Sequence, residues 1–246
     1  MAKFFVDPKQ IQNESIQIQN SQDIIHIKNV LRLGKKDKLW ISDGQQMEYE
    51  CIIEDIEQNE IHVKILNRYR SDSEPAIHVT LFQGLPKSDK LEWIIQKAVE
   101  LGVHQIVPMI TERTVVKISD PQKIKKKWER WNKIGESAAK QSGRGKIPSI
   151  SLPVSYQEAL RLGKELDHAI IPYEKEENET LKHILPVPLQ QSIGIFIGPE
   201  GGFTFEEIQR AKEQNIVPIT LGKRILRTET AGLAVLSIIM YEAGEV

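Results

Sequence analysis

The sequence predicts an α/β protein, a mainly parallel sheet covered by helices on both faces, preceded by a small β-rich N-terminal domain. Three observations carry that expectation. From Ala76 onward, short apolar β-branched runs alternate with helical patterns, the βαβα signature of a parallel sheet. Residues 1–71 instead show short strands, a hairpin signal and one short helix. Between the two, SDSEP at 71–75 is a polar, proline-ended linker, which sets the expected domains at 1–71 and 76–246.

In the N-terminal part, residues 4–6 suit a first strand. Ser21 is read as the cap of a short helix in which Ile24, Ile27 and Leu31 recur at helical spacing. Residues 39–42 suit a strand closed by the turn signal Asp43-Gly44, and 47–56 with 61–66 read as a hairpin around Gln58-Asn59. Past the linker, residues 77–83 suit a strand that Gly84-Leu85-Pro86 ends. A helix is expected over 89–101, with Leu91, Ile94, Ile95, Ala98 and Leu101 on one face and Gly102 at C′. A strand over 105–110 follows, then a long basic helix over 121–141 that ends in SGRGK, read as flexible. Further strands are expected at 149–152, 167–171, 193–197 and 217–221, with helices at 155–163, 178–185 and 205–214 and a last apolar helix over 231–241.

Composition excludes several classes. The chain has 246 residues, 40% apolar and 27% charged, ordinary for a soluble globular protein. No apolar run approaches the roughly 18–20 residues that span a bilayer, and MAKFFVDPKQ lacks the regions of a signal peptide. The single cysteine, Cys51, rules out an intrachain disulfide and a multi-cysteine zinc site, and suits a buried apolar position. The six histidines form no metal-binding cluster, so no metal is expected, and the cytoplasm is the expected compartment. Between Arg113 and Lys146 there are 11 Lys/Arg against three acids, a local balance of +8; with a net charge of −1, the remaining residues carry −9. Such a concentration of positive charge is the footprint of a phosphate-binding face. A solvated lysine-rich helix is the plainer alternative, although the consecutive Lys125, Lys126 and Lys127 cannot share one face.

The chemistry concentrates in 193–231. A buried strand runs into GPEGG, where Gly198, Gly201 and Gly202 let the backbone turn sharply or approach a ligand. Thr204 is a plausible N-cap of the next helix, with Glu206 and Glu207 in its first turn. After the following strand comes a polar loop holding Arg227, Thr228, Glu229 and Thr230. Both loops leave carboxyl ends of strands, where α/β sheets hold ligands. Neither GxGxxG nor GxxxxGK[ST] occurs, and GPEGG has no phosphate-gripping lysine. A nucleoside ligand with an uncharged sugar, such as S-adenosylmethionine, therefore suits the loops better than ATP. Ile197, Leu221, Ile225 and Leu226 could form its apolar slot. The alternatives are glycines that only make tight turns, and an Arg227–Glu229 surface ion pair worth little. Glu200 reads as a turn residue or a ligand contact, and Arg144 between two glycines as a mobile phosphate contact or a helix cap. Trp93, Trp128 and Trp131 could stack bases but fit core positions better.

GPEGGF at 198–203, LGKRILRTETA at 221–231, QKAVELG at 96–102, TERT at 111–114 and QSGR at 141–144 together resemble the RsmE family. FFVD at 4–7 and HIKNVLRL at 26–33 resemble that family's N-terminal PUA-like RNA-binding domain, and Lys3 and Lys140 depart from its pattern. The family comprises bacterial methyltransferases of the SPOUT class that methylate uridine N3 in 16S ribosomal RNA near the decoding site. The resemblance implies a SPOUT fold over 76–246 with a C-terminal trefoil knot, a homodimer whose sites are completed by the partner chain, and S-adenosyl-L-methionine held in loops at 172–174, 198–202 and 221–231. The cofactor residues it implies are Pro172, Tyr173, Ile197, Gly198, Glu200, Gly201, Gly202, Leu221, Gly222, Ile225, Leu226, Thr230 and Ala231. Arg227 is then the cation facing the uracil carbonyls, and Glu229 positions it or accepts the proton. Arg32, Arg113, Lys126, Lys127 and Arg144 would contact RNA. The alternatives are a methyltransferase acting on another rRNA or tRNA position, a non-catalytic RNA-binding assembly factor, and another nucleotide-dependent enzyme.

Overall fold

The computed structural model describes residues 3–116, 120–184 and 192–246. The chain divides into two compact units, Met1–Glu74 with Ala139–Ile147, and Pro75–Ala138 with Pro148–Val246. That Ala139–Ile147 joins the first unit is invisible in local sequence.

In the first unit, β1 (Lys3–Phe5), β2 (Ser15–Ile18), β3 (Lys38–Ser42), β4 (Met47–Ile56) and β5 (Ile61–Arg70) form one sheet in the order β1-β3-β4-β5-β2. The β1–β3 pair is parallel and the others antiparallel. The expected hairpin joins β4 and β5. The cap of α1 (Ser21–Ile25) is Asn20 rather than Ser21: its side chain accepts from the amides of Gln22 and Asp23, and a π-helical turn, His26–Val30, continues the helix. Ile16, Ile18, Leu39, Ile41, Cys51, Ile53, Ile61 and Val63 alternate inward to form the core of this unit. Burial, with the nearby Glu50 charge, pushes the Cys51 thiol up to about 12.

The second unit carries a parallel sheet. Its strands are β6 (His78–Gly84), β7 (Gln105–Ile110), β8 (Ser149–Ile150), β9 (Val154–Ser155), β10 (His168–Pro172), β11 (Ser192–Ile197) and β12 (Val217–Ile219). They run in the order β12-β10-β11-β6-β7-β8, with β9 also paired to β7, and every pair is parallel. Between them lie α2 (Lys90–Glu100), α3 (Pro121–Ser142), α4 (Tyr156–Lys164), α5 (Leu181–Ile184), α6 (Phe205–Glu213) and α7 (Thr228–Glu242). Residue 185, the expected end of the fifth helix, lies outside the described residues. Gly102 takes φ +92° as its C′ position requires. The central strands read as continuous apolar runs because both sheet faces are covered; Phe82 and Phe196 stack at 4.2 Å on neighbouring strands. Strand order reverses at β6: the chain first winds out through β7, then returns so that β11 inserts between β6 and β10. Among the described residues no helix is long and apolar enough to cross a membrane.

Candidate active site

Because the strands are parallel, the loops after β6, β11, β10 and β12 all emerge at one edge, beside the point where strand order reverses. A cavity of about 1030 Å³ opens there. Residues from 172–177, 197–203 and 220–231 line it, together with Lys90 at the start of α2. The volume reaches the top of the roughly 300–1,000 Å³ range of small-ligand sites, enough for a cofactor and a reacting group together.

The GPEGG turn is held from several sides. The amide of Gly202 (φ +65°) donates to Pro199 O at 2.9 Å. Gly84 lies beneath: a Cβ there would sit 2.6 Å from Pro199 N and 2.9 Å from Gly198 C, so only glycine admits the turn. Thr228 Oγ1 donates to Gly198 O at 2.6 Å and accepts from the buried Gln83 Nε2 at 2.9 Å. Arg113 Nη1 donates to Gly201 O at 2.7 Å. The turn then enters α6 through a capping box. The Thr204 hydroxyl accepts from Glu207 N, and the Glu207 carboxylate accepts from Thr204 N and from Glu112 N, each at 2.9 Å.

Three charged residues, at the start of α2, in the GPEGG turn and in the first turn of α7, meet at the cavity wall. Lys90 Nζ lies 3.0 Å from Glu200 Oε1 and 3.4 Å from Glu229 Oε2. The hydrogen bond and charge of Glu200 raise the Lys90 ammonium above its usual range. Burial pushes the Glu200 carboxyl up, but hydrogen bonds from its own amide, Lys90 and the Lys87 amide outweigh it and leave it below the ordinary glutamate value. Glu229 Oε2 is buried and accepts no hydrogen bond. Arg227 is exposed, and among the described residues its side chain has no hydrogen bond or ion pair.

Of the expected cofactor residues, Pro172, Tyr173, Ile197, Gly198, Glu200, Gly201, Gly202, Leu221, Gly222, Ile225, Leu226 and Ala231 line the cavity, as do Arg227 and Glu229. Thr230 does not, and it faces solvent. The expected polar loop is instead the first turn of α7, which begins at Thr228 with Arg227 as N-cap, since acidic and hydroxyl residues suit that turn. Glu229 pairs with Lys90 and not with Arg227. The Glu200 carboxylate is tied to the start of α2, which makes it a clamp on the turn. Arg144 is no mobile arginine. It is 4% exposed and forms a two-pronged ion pair with Glu74, Nη2 to Oε2 at 2.7 Å, because a buried guanidinium requires a carboxylate partner. Arg32, Lys126 and Lys127 are exposed, whereas Arg113 is engaged by the turn. Sequence reasoning missed Lys90, Gln83 and Thr228 as a set. Their only local signals were a lysine at a helix start, a polar residue ending an apolar strand, and a threonine beside Glu229. Among the described residues, the one group of side chains close enough to share a metal ion, Glu57, Glu60 and His62, belongs to the first unit and is not part of the cavity lining.

A model of the RNA methyltransferase domain matches residues 73–240, and one of the RNA methyltransferase PUA domain matches residues 18–66. Fold and cavity thus define an RNA methyltransferase with an N-terminal PUA domain. Ribosomal RNA small subunit methyltransferase E of Bacillus subtilis is 35% identical over 98% of this chain and 97% of its own length. The Neisseria gonorrhoeae protein of the same name, solved bound to S-adenosyl methionine, shares 31% identity and superposes with a TM-score of 0.86 over 98% of this chain and 97% of its own. A Legionella pneumophila methyltransferase, solved with bound cofactor SAM, shares 30% identity and a TM-score of 0.85 over the same shares of the two chains. The chain belongs to the ribosomal RNA small subunit methyltransferase E (RsmE) family.

Proposed function

We propose that this protein is a cytoplasmic S-adenosyl-L-methionine-dependent methyltransferase of uridine N3 in 16S ribosomal RNA near the decoding site. It acts as a homodimer whose C-terminal domain carries the trefoil knot of the SPOUT class. One observation carries the reading. A cavity built from three strand-end loops, in a chain of this family, is lined by a buried carboxylate oxygen that accepts no hydrogen bond and by an exposed arginine with no partner.

The residues fit S-adenosylmethionine. Ile197, Leu226 and Ala231 offer an apolar slot, the glycine turns expose backbone donors and acceptors, and residues 198–202 hold no lysine for a phosphate. The chemistry it brings when bound is an electrophilic methyl group on a sulfonium. Uridine N3 carries a proton and becomes a strong nucleophile only as that proton leaves. Glu229 Oε2 accepts it, and Arg227 faces the negative charge that spreads onto the uracil carbonyls. Alignment of the base by the cavity walls can contribute roughly 7–11 kcal/mol. Lys126 and Lys127 on α3 and Arg32 in the PUA domain bind RNA phosphates.

Calorimetric titration with S-adenosylhomocysteine tests the site. Wild type binds saturably, and Gly198→Val does not, because a Cβ there already lies 3.1 Å from Gly202 Cα. Wild type should also form N3-methyluridine in small subunits that lack it. No binding with subunits present, or no such product, refutes the reading.

A further inference from the structure

Lys90 was not among the expected site residues, yet it is placed where a substrate contact is needed. It projects from the first position of α2 into the cavity wall, between carboxylates contributed by the GPEGG turn and by the first turn of α7. Its ammonium lies 3.0 Å from Glu200 Oε1 as an ion pair. The contact with Glu229 Oε2, at 3.4 Å, is an ion pair without hydrogen-bond geometry, since that oxygen accepts no hydrogen bond. An ammonium has three donors and a carboxylate oxygen is acceptor only. The cavity therefore presents a charged acceptor and a charged donor side by side, each with unused capacity.

We infer that Lys90 is a catalytic residue of the proposed reaction and sets its preference for uracil. The inference rests on the uridine-N3 reading above. Uracil presents a donor, N3–H, flanked by the carbonyl acceptors O2 and O4. A donor beside an acceptor is the complement of Glu229 Oε2 beside Lys90 Nζ. Glu229 receives the N3 proton, and the electron pair left on N3 delocalises onto the carbonyl that Lys90 hydrogen-bonds, where a fixed cation stabilises it most. Arg227 is left for the second carbonyl. Cytosine carries a bare acceptor at N3, which would meet the Glu229 carboxylate acceptor to acceptor. A site built to hydrogen-bond one pattern rejects the opposite pattern strongly. Glu200 holds Lys90 in place: it anchors both the Lys90 side chain and the Lys87 amide, so the donor cannot swing away when Glu229 is protonated.

The test uses full-length wild type, Lys90→Gln and Lys90→Arg under single turnover at saturating cofactor. Substrates are small subunits assembled on 16S transcripts made with uridine or with 5-fluorouridine, whose N3–H is more acidic. Lys90→Gln should lower the rate on uridine by about 10²-fold, the size of a lost oxyanion donor. Affinity for S-adenosylhomocysteine should stay unchanged. The 5-fluorouridine substrate should recover most of that loss while barely changing wild type, and Lys90→Arg, which keeps charged donors, should retain more activity than Lys90→Gln. An equal loss on both RNAs, or a loss explained by weaker S-adenosylhomocysteine binding, overturns the inference and leaves Lys90 as a clamp on Glu200. If wild type itself forms no N3-methyluridine, the function reading falls and takes this inference with it. An active wild type, with the same uridine to 5-fluorouridine ratio in Lys90→Gln as in wild type, sinks the inference alone.

Discussion

Replacing Thr228 with valine tests whether the cofactor turn is held by the hydroxyl between β6 and β11. The substitution keeps side-chain shape and removes one oxygen. That oxygen donates to Gly198 O at 2.6 Å and accepts from Gln83 Nε2 at 2.9 Å. Gln83 Nε2 retains Gly84 O at 3.0 Å, so the uncompensated losses are one bond from Gln83 and the donor to Gly198 O. A net hydrogen bond contributes about 0.5–1.5 kcal/mol, and an acceptor left without a donor adds to the loss as far as it is shielded from water. The residue is 7% exposed but the Gly198 carbonyl is only part-buried, so the expected destabilisation is about 1–3 kcal/mol. Urea unfolding followed by tryptophan fluorescence reads it as a lower midpoint at unchanged slope. S-adenosylhomocysteine affinity should fall as well, since the turn loses its tether, and Thr228→Ser should preserve both. A valine variant within about 0.5 kcal/mol of wild type, with normal ligand affinity, would refute the tether.

Gly84→Ala places a methyl 2.6 Å from Pro199 N, against backbone that cannot rotate away, so the protein should lose S-adenosylhomocysteine binding and about 1–3 kcal/mol of stability, read by calorimetry and urea midpoint. Lys126→Glu with Lys127→Glu should weaken small-subunit rRNA binding and lower the salt slope by about 2 while leaving cofactor affinity intact; an unchanged slope removes α3 from the RNA-binding face. Cys51, whose thiol burial pushes to about 12 from a usual 9.0, should resist alkylation at pH 8 until the protein opens, and labelling as fast as that of a free thiol would contradict its placement. The sign of the linked stability follows: between pH 9.0 and about 12 only the unfolded thiol ionises, so stability falls as pH rises through that window.

Elements whose signals are local were legible. Gln105–Ile110 is a strand to the residue, because an apolar run from Ile106 to Ile110 stands between the helix-ending Gly102 and the polar Thr111. The Thr204 cap of α6 was readable because a capping box is complete within four residues. Failures had two kinds of cause. Thr228, Glu229 and Thr230 look like a loop because the residues that suit a first helical turn also suit loops, so α7 was expected to start at Ala231. Other features depend on partners distant in sequence. Arg144 between two glycines suggests mobility until Glu74, 70 residues earlier, is seen to bury it. The tether from Gln83 to Thr228 spans 145 residues, and Lys90 acquires meaning only when the sheet order brings β6, β11 and α7 together.

The three glutamates around the GPEGG turn show how the fold assigns roles to identical side chains. Glu207 is 2% exposed and both its oxygens accept backbone amides, from Glu112 and Thr204, so taking a proton would break two bonds that hold α6. Glu200 is occupied by Lys90 and the Lys87 amide and held below the ordinary glutamate range, a poor base at neutral pH. Of the three, Glu229 alone keeps a buried oxygen that accepts no hydrogen bond. An unmet buried acceptor costs about 1–3 kcal/mol, and such deficits cluster where a ligand later supplies the missing partner. The second one among the described residues, Gln83 Oε1, belongs to the side chain that hydrogen-bonds Thr228, one residue before Glu229. Both deficits therefore flank the start of α7, and only the one at Glu229 opens on the cavity. In the proposed reaction, a proton donor entering there would meet an oxygen that accepts no hydrogen bond and has only the Lys90 ammonium near it, at 3.4 Å, which is the energetic reason the proposal gives the substrate proton to Glu229 and to neither of its neighbours.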